Sequence, residues 1–173
     1  MLVQETKDGS LRLMTPGEIS MAQEIYKGAI EYYKVWVHKG SYLPFGLQNK
    51  KQAMTPSGEI YFRDDYTPDF SSAAIRLKHI FIHELAHVWQ RQQGMNVKTI
   101  GLFSWAADYD YKLENRSLSS YGMEQQAQII ADYFLLTQPN GRASWDDLSF
   151  CKNGANFSDA ELLKKYKKML AVL

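Results

Sequence analysis

Residues 79–93 read HIFIHELAHVWQRQQ, and the pentad His83-Glu84-Leu85-Ala86-His87 at their centre decides how the rest of the chain is read. Histidines four residues apart stand one above the other on a helix face, with Cβ atoms about 5–6 Å apart. At that spacing both imidazoles can reach one zinc ion at about 2.0–2.1 Å. Glu84 lies beside the pair, where a carboxylate can act as general base toward a metal-activated water. Around them stand Ile80, Phe81, Ile82, Leu85, Ala86, Val88 and Trp89. Two imidazoles and a carboxylate amid so much apolar surface are costly without a partner, and a divalent cation is the simplest one.

Working outward, the spacing predicts a long helix from Ser71 or Ser72 to Gln93, stopped by Gly94. Just ahead of it, Glu59-Ile60-Tyr61-Phe62-Arg63 reads as a short strand. If that strand is a sheet edge beside the metal, it can pair with an extended peptide by strand addition. Pro44, Gly46, Pro56 and Gly58 mark residues 41–58 as loop. Earlier still, Thr15-Pro16-Gly17-Glu18 opens a helix with a capping box. Its apolar positions run from Ile19 to Tyr33, Gly40 ends it, and His38 falls near its C-terminus. Downstream, residues 95–120 show no clean period and carry Trp105, Tyr109 and Tyr111. A third helix is expected over 122–137, closed by Pro139-Asn140-Gly141. Ser144 with Asp147 marks a short helical turn, and Ser158 with Glu161 caps a C-terminal helix. The basic run Lys164–Lys168, with Tyr166 at its centre, falls in the last turns of that helix, where positive charge suits the dipole. The fold class is α+β: one mostly helical domain with a small β-sheet.

The third metal ligand has to be a carboxylate. The four histidines are His38, His79, His83 and His87, so none follows the motif. Gln90 and Gln93 exclude a metzincin layout. Glu114, Glu124, Asp108, Asp110 and Asp132 compete, and Glu124 is best placed. It sits with Ala127, Ala131 and Leu135 at the edge of an apolar helix face, and the two alanines permit close approach to the histidine helix. Glu114, in KLENR, reads as solvated surface. A His-His-Glu set leaves a fourth position open for water. Amide hydrolysis also needs a donor for the developing oxyanion. Tyr109 and Tyr111 alternate in DYDY, so an extended backbone puts both on one face, where either can serve; packing is an equal reading for both. His79, one turn before His83, reads as a supporting or helix-surface residue.

Composition narrows the alternatives. The chain has 173 residues, 45% hydrophobic and 23% charged, which suits one globular domain and excludes wholesale disorder. Twenty Lys+Arg against 19 Asp+Glu give a net charge of +1, with no electrostatic footprint for nucleic acid. The single cysteine, Cys151, excludes an internal disulfide framework. No run is long and apolar enough to span a membrane. The segment MLVQETKDGSLRLM is too polar for a signal peptide, so cytoplasmic synthesis is expected.

HELAHVWQ at 83–90, with MTPSGEIYF before it and YGMEQQAQII after it, resembles a minimal gluzincin-type zinc metallopeptidase. The chain is more closely similar to small bacterial zinc-protease-like proteins described as Vgr-related or Rhs-related and associated with type VI secretion. The resemblance covers most of residues 11–137, with 139–173 as a C-terminal helical extension. It implies a zincin-like core, zinc held by His83, His87 and Glu124, and Glu84 as base. It supplies no substrate; a peptide or protein substrate is expected from the zinc chemistry, with export by a type VI-like apparatus and a secretion-system or immunity protein as partner. Thermolysin-like enzymes carry an aspartate four residues after the ligand glutamate, where this chain has Gln128. The competing reading is a catalytically silent zincin-fold adaptor with a structural zinc.

Overall fold

The computed structural model describes residues 6–97 and 108–173; Trp105 lies outside them. Its elements run β1 (Leu11–Leu13), α1 (Pro16–Tyr26), β2 (Trp36–Lys39), β3 (Ile60–Phe62), α2 (Ile75–Gln92), α3 (Met123–Thr137), α4 (Gly141–Leu148) and α5 (Asp159–Met169). The result is mostly helical with one small mixed sheet, in the order β1-β2-β3. β1 and β2 pair antiparallel, with Leu13 opposite Trp36; β2 and β3 pair parallel, with Val37 opposite Ile60.

The first helix is shorter than its apolar spacing predicts. The Thr15/Glu18 capping box is present, but the helix ends at Tyr26, where Lys27 turns to φ +49°. Beyond it, Val35 and Val37 are fully buried while Trp36 between them is exposed. That two-residue alternation of β-branched and aromatic residues favours a strand over a further helical turn. His38 therefore lies in β2 and not at a helix end. Its ring stacks on Tyr61 at 4.1 Å, and its Nε2 is 2.7 Å from Glu59 Oε2.

The inward face of the sheet, Val37, Ile60 and Phe62, meets the aromatic stack that supports α2. Phe62 packs on Phe70 at 4.4 Å, and Phe70 on Phe81 of α2 at 4.7 Å. A one-turn 3-10 segment, Phe70–Ser72, capped by Asp69, stands where the sequence placed the start of the long helix; α2 proper begins at Ile75. Gly94 at φ +84° ends the α2 segment as expected, a conformation that glycine adopts without steric cost.

The contact of α2 with α3 is the most extensive between any two described elements. Ala86, Ala127 and Ala131 are all fully buried, and their small side chains permit the close approach. The C-terminal segment closes over the other side of α3. α4 starts at Gly141, three residues before Ser144, and α5 carries the expected Ser158/Glu161 box. Trp145, Leu162 and Tyr166 are buried there. Gly154 lies flat under Trp145, so close that a Cβ would meet the indole at 1.9 Å. No helix among the described residues is long and apolar enough to cross a membrane.

Candidate metal centre

The 3.6-residue period of α2 turns His79, His83, Glu84 and His87 toward one cavity of about 320 Å³. Glu124, in the first turn of α3, reaches the same cavity across the α2–α3 contact. His83 Nε2 stands 3.2 Å and His87 Nε2 3.1 Å from Glu124 Oε2. One ligand atom from each residue lies within 4.8 Å of the other two, and all three residues are buried. Donors placed tetrahedrally about an ion at about 2.1 Å stand roughly 3.4 Å from one another, so this arrangement fits a small divalent metal. Among the described residues it is the one such cluster.

The surroundings set the imidazole and carboxylate charges. Burial alone would push the His87 imidazole down, but the Glu124 carboxylate, joined by the Glu84 charge, raises it to about 9. Burial likewise opposes the Glu124 charge, and the two histidines outweigh it, holding that carboxyl well below the usual range. His87 Nδ1 donates to Gln90 Oε1 at 2.8 Å, which leaves Nε2 as the metal-facing nitrogen. Gln90 is in turn fixed by donating to the Met123 carbonyl at 2.9 Å. A glutamine three residues after a ligand on the same helix face is a signal that the sequence carries.

Glu84 is buried and lies outside the three-ligand cluster. Thr55 Oγ1 donates to its Oε2 at 2.6 Å. Thr55 belongs to residues 51–55, which line the cavity. The strand-edge expectation shifts by this finding, because β3 is not the free edge. Met54 occupies its outer side, with Met54 N donating to Tyr61 O at 3.1 Å and Tyr61 N to Met54 O at 2.9 Å. The cavity-facing extended segment is the one around Met54. No local signal marks Thr55, which lies 29 residues from its partner.

The structure separates the two tyrosines. Tyr109 lines the cavity, its ring centroid 6.0 Å from that of His83 and 5.9 Å from that of Phe150. Burial, with the Glu124 and Glu84 charges, raises its hydroxyl, so it stays a hydrogen-bond donor. Tyr111 is buried away from the cavity, donating to Asp132 Oδ2 at 2.7 Å and meeting the Tyr166 hydroxyl. A side-chain turn precedes Tyr111, with Asp110 N donating to Asp108 Oδ1 at 3.0 Å, and Tyr111 then pairs with Cys151. The common face that simple alternation implies is lost there.

The other carboxylates are employed elsewhere. Glu114 is exposed and pairs with Arg116, and Asp110 pairs with Lys152. Asp132 is fully buried and accepts from His79 Nε2 (2.8 Å), Gln128 Nε2 (2.7 Å), Tyr111 and the Phe150 amide (3.1 Å). His79 is thus a buried supporting residue, and Gln128 serves Asp132 and not a ligand histidine.

An H-E-x-x-H helix crossed by a glutamate-bearing helix, with the two histidines and the glutamate gathered at the crossing, is the arrangement of a zincin-type site. No protein-family model matches the chain. It is 37% identical over 142 residues to the type VI secretion system spike protein VgrG2b of Pseudomonas aeruginosa. The match takes in 77% of this chain and 14% of the spike protein's length. The solved effector domain of VgrG2b superposes with a TM-score of 0.66 at 33% identity, over 84% of this chain and 86% of that domain. The chain belongs to the family of that effector domain.

Proposed function

We propose that this domain is a zinc-dependent peptidase, hydrolysing a peptide or other amide bond, and that it is delivered as an effector by a type VI secretion apparatus. The observation that carries the reading is the division of labour in one buried cavity. Three ligand atoms converge, while a fourth ionisable group, Glu84, lies beside them without joining them. A purely structural site has no use for that carboxylate.

His83, His87 and Glu124 would hold the ion, and two neutral nitrogens with one anionic oxygen suit zinc. When bound, zinc lowers the pKa of a water and polarises a scissile carbonyl. Glu84 accepts the proton of the attacking water at its carboxylate and returns it to the leaving amine. Tyr109, with a hydroxyl that stays protonated, donates to the developing oxyanion. Tyr111, committed to Asp132 and Tyr166, takes no part at the reacting centre. An extended substrate can lie against residues 53–55. The backbone groups of Met54 are spent on Tyr61, so those of Ala53 and Thr55 point to the other edge.

The test is hydrolysis of fluorescein-labelled casein by the zinc-loaded domain, compared with Glu84→Gln. Loss of the base is expected to lower the rate by about 100-fold or more with metal content unchanged. A Glu84→Gln variant that cleaves at the wild-type rate contradicts the proposal, as does a wild-type domain that holds zinc and cleaves nothing.

A further inference from the structure

We infer that Thr55 is a positioning residue for Glu84: its hydroxyl aims the carboxylate at the reacting water and ties the base to the cavity wall along which the substrate lies. The inference rests on the catalytic reading of Glu84 given above. The last torsion of a glutamate side chain is soft and broadly populated, so a carboxylate without a partner sweeps through a wide arc. Among the described residues Glu84 has one hydrogen-bond partner, the Thr55 hydroxyl at 2.6 Å. A short O–H···O⁻ bond of this kind is among the stronger protein hydrogen bonds. It occupies Oε2 and leaves Oε1 free for proton transfer.

Thr55 is itself held from both sides. On one side Met54 makes two backbone hydrogen bonds to Tyr61, which lock its neighbour to the sheet. On the other, Pro56 restricts Thr55 to extended backbone. Thr55 is 4% exposed, so little water competes for its hydroxyl. The hydroxyl has a single proton to give, and it is given to the base. Because residues 53–55 also face the cavity, a peptide that pairs with this segment meets a base whose direction the same segment has set.

The test compares Thr55→Val, Thr55→Ala and Thr55→Ser in the zinc-loaded protein. Readouts are kcat and KM on fluorescein-labelled casein, zinc content, melting temperature and affinity for acetohydroxamate, a chelating probe that gives up a proton on binding. Removal of the hydroxyl in the Val and Ala variants is expected to lower kcat about 10- to 100-fold with KM within about twofold. Acetohydroxamate affinity is expected to fall about fivefold or more, and Thr55→Ser to restore both. Wild-type kcat and probe affinity in either Val or Ala overturn the inference. So does an equal loss in the Ser variant, which would make side-chain shape the cause. If the wild type leaves casein intact, the peptidase reading fails and the acetohydroxamate affinities decide the role of Thr55 alone.

Discussion

Glu124 and His87 hold each other in opposite charge states, and that pairing makes the metal-free protein sensitive to pH. His87 is raised to about 9 from a free value of 6.5. A raised base adds stability that is complete below 6.5 and is lost as the pH climbs through 9. Glu124 is lowered from 4.5, so its contribution is complete above 4.5 and is lost only in stronger acid. The pair therefore supports the metal-free fold in full between about pH 4.5 and 6.5. We expect urea denaturation of the chelator-treated protein to show stability falling from pH 6.5 to 9, with a shallower fall in Glu124→Gln. Stability that rises for the wild type across that window contradicts the pairing. Metal affinity should rise over the same interval, because the ion displaces the proton from His87.

Among the described elements, the two helices that build the site are the longest, 18 and 15 residues, and both were readable from the sequence. His83, Glu84 and His87 follow from one pentad, and Glu124 from its place on an apolar face beside Ala127 and Ala131. β1 and β2 were not readable. Each is three or four residues long and is defined by partners far along the chain, while the apolar spacing of Ile19–Tyr33 imitates a longer helix. The partners of the site, Thr55 and Asp132, escaped for the same reason, since each meets its counterpart only after folding. The α2–α3 contact itself is testable. Ala127 is fully buried one turn after Glu124, so Ala127→Leu overpacks the crossing. It should cost about 1–3 kcal/mol in urea denaturation and weaken metal binding with it. A variant as stable as wild type would mean that the helices do not meet as closely as the buried alanines indicate.

Across the whole molecule, the C-terminal segment is part of the structure that holds the site. Phe150 forms one wall of the cavity, and its amide binds Asp132. Asp132 in turn joins His79 on α2 to Tyr111 and, through it, to Tyr166 of α5. Trp145 donates to the same Tyr166 hydroxyl at 3.0 Å. The near-neutral charge balance gives the molecule no bulk electrostatic pull on a charged ligand. The fold gathers His83, His87 and Glu124 where one metal ion can bind. The most direct test of that binding is metal stoichiometry by elemental analysis of the purified wild type, Glu124→Ala and Glu114→Ala after zinc loading and desalting. About one zinc per chain is expected in the wild type and in Glu114→Ala, and a large loss in Glu124→Ala. Full zinc in Glu124→Ala, or its loss in Glu114→Ala, would contradict this set of ligands.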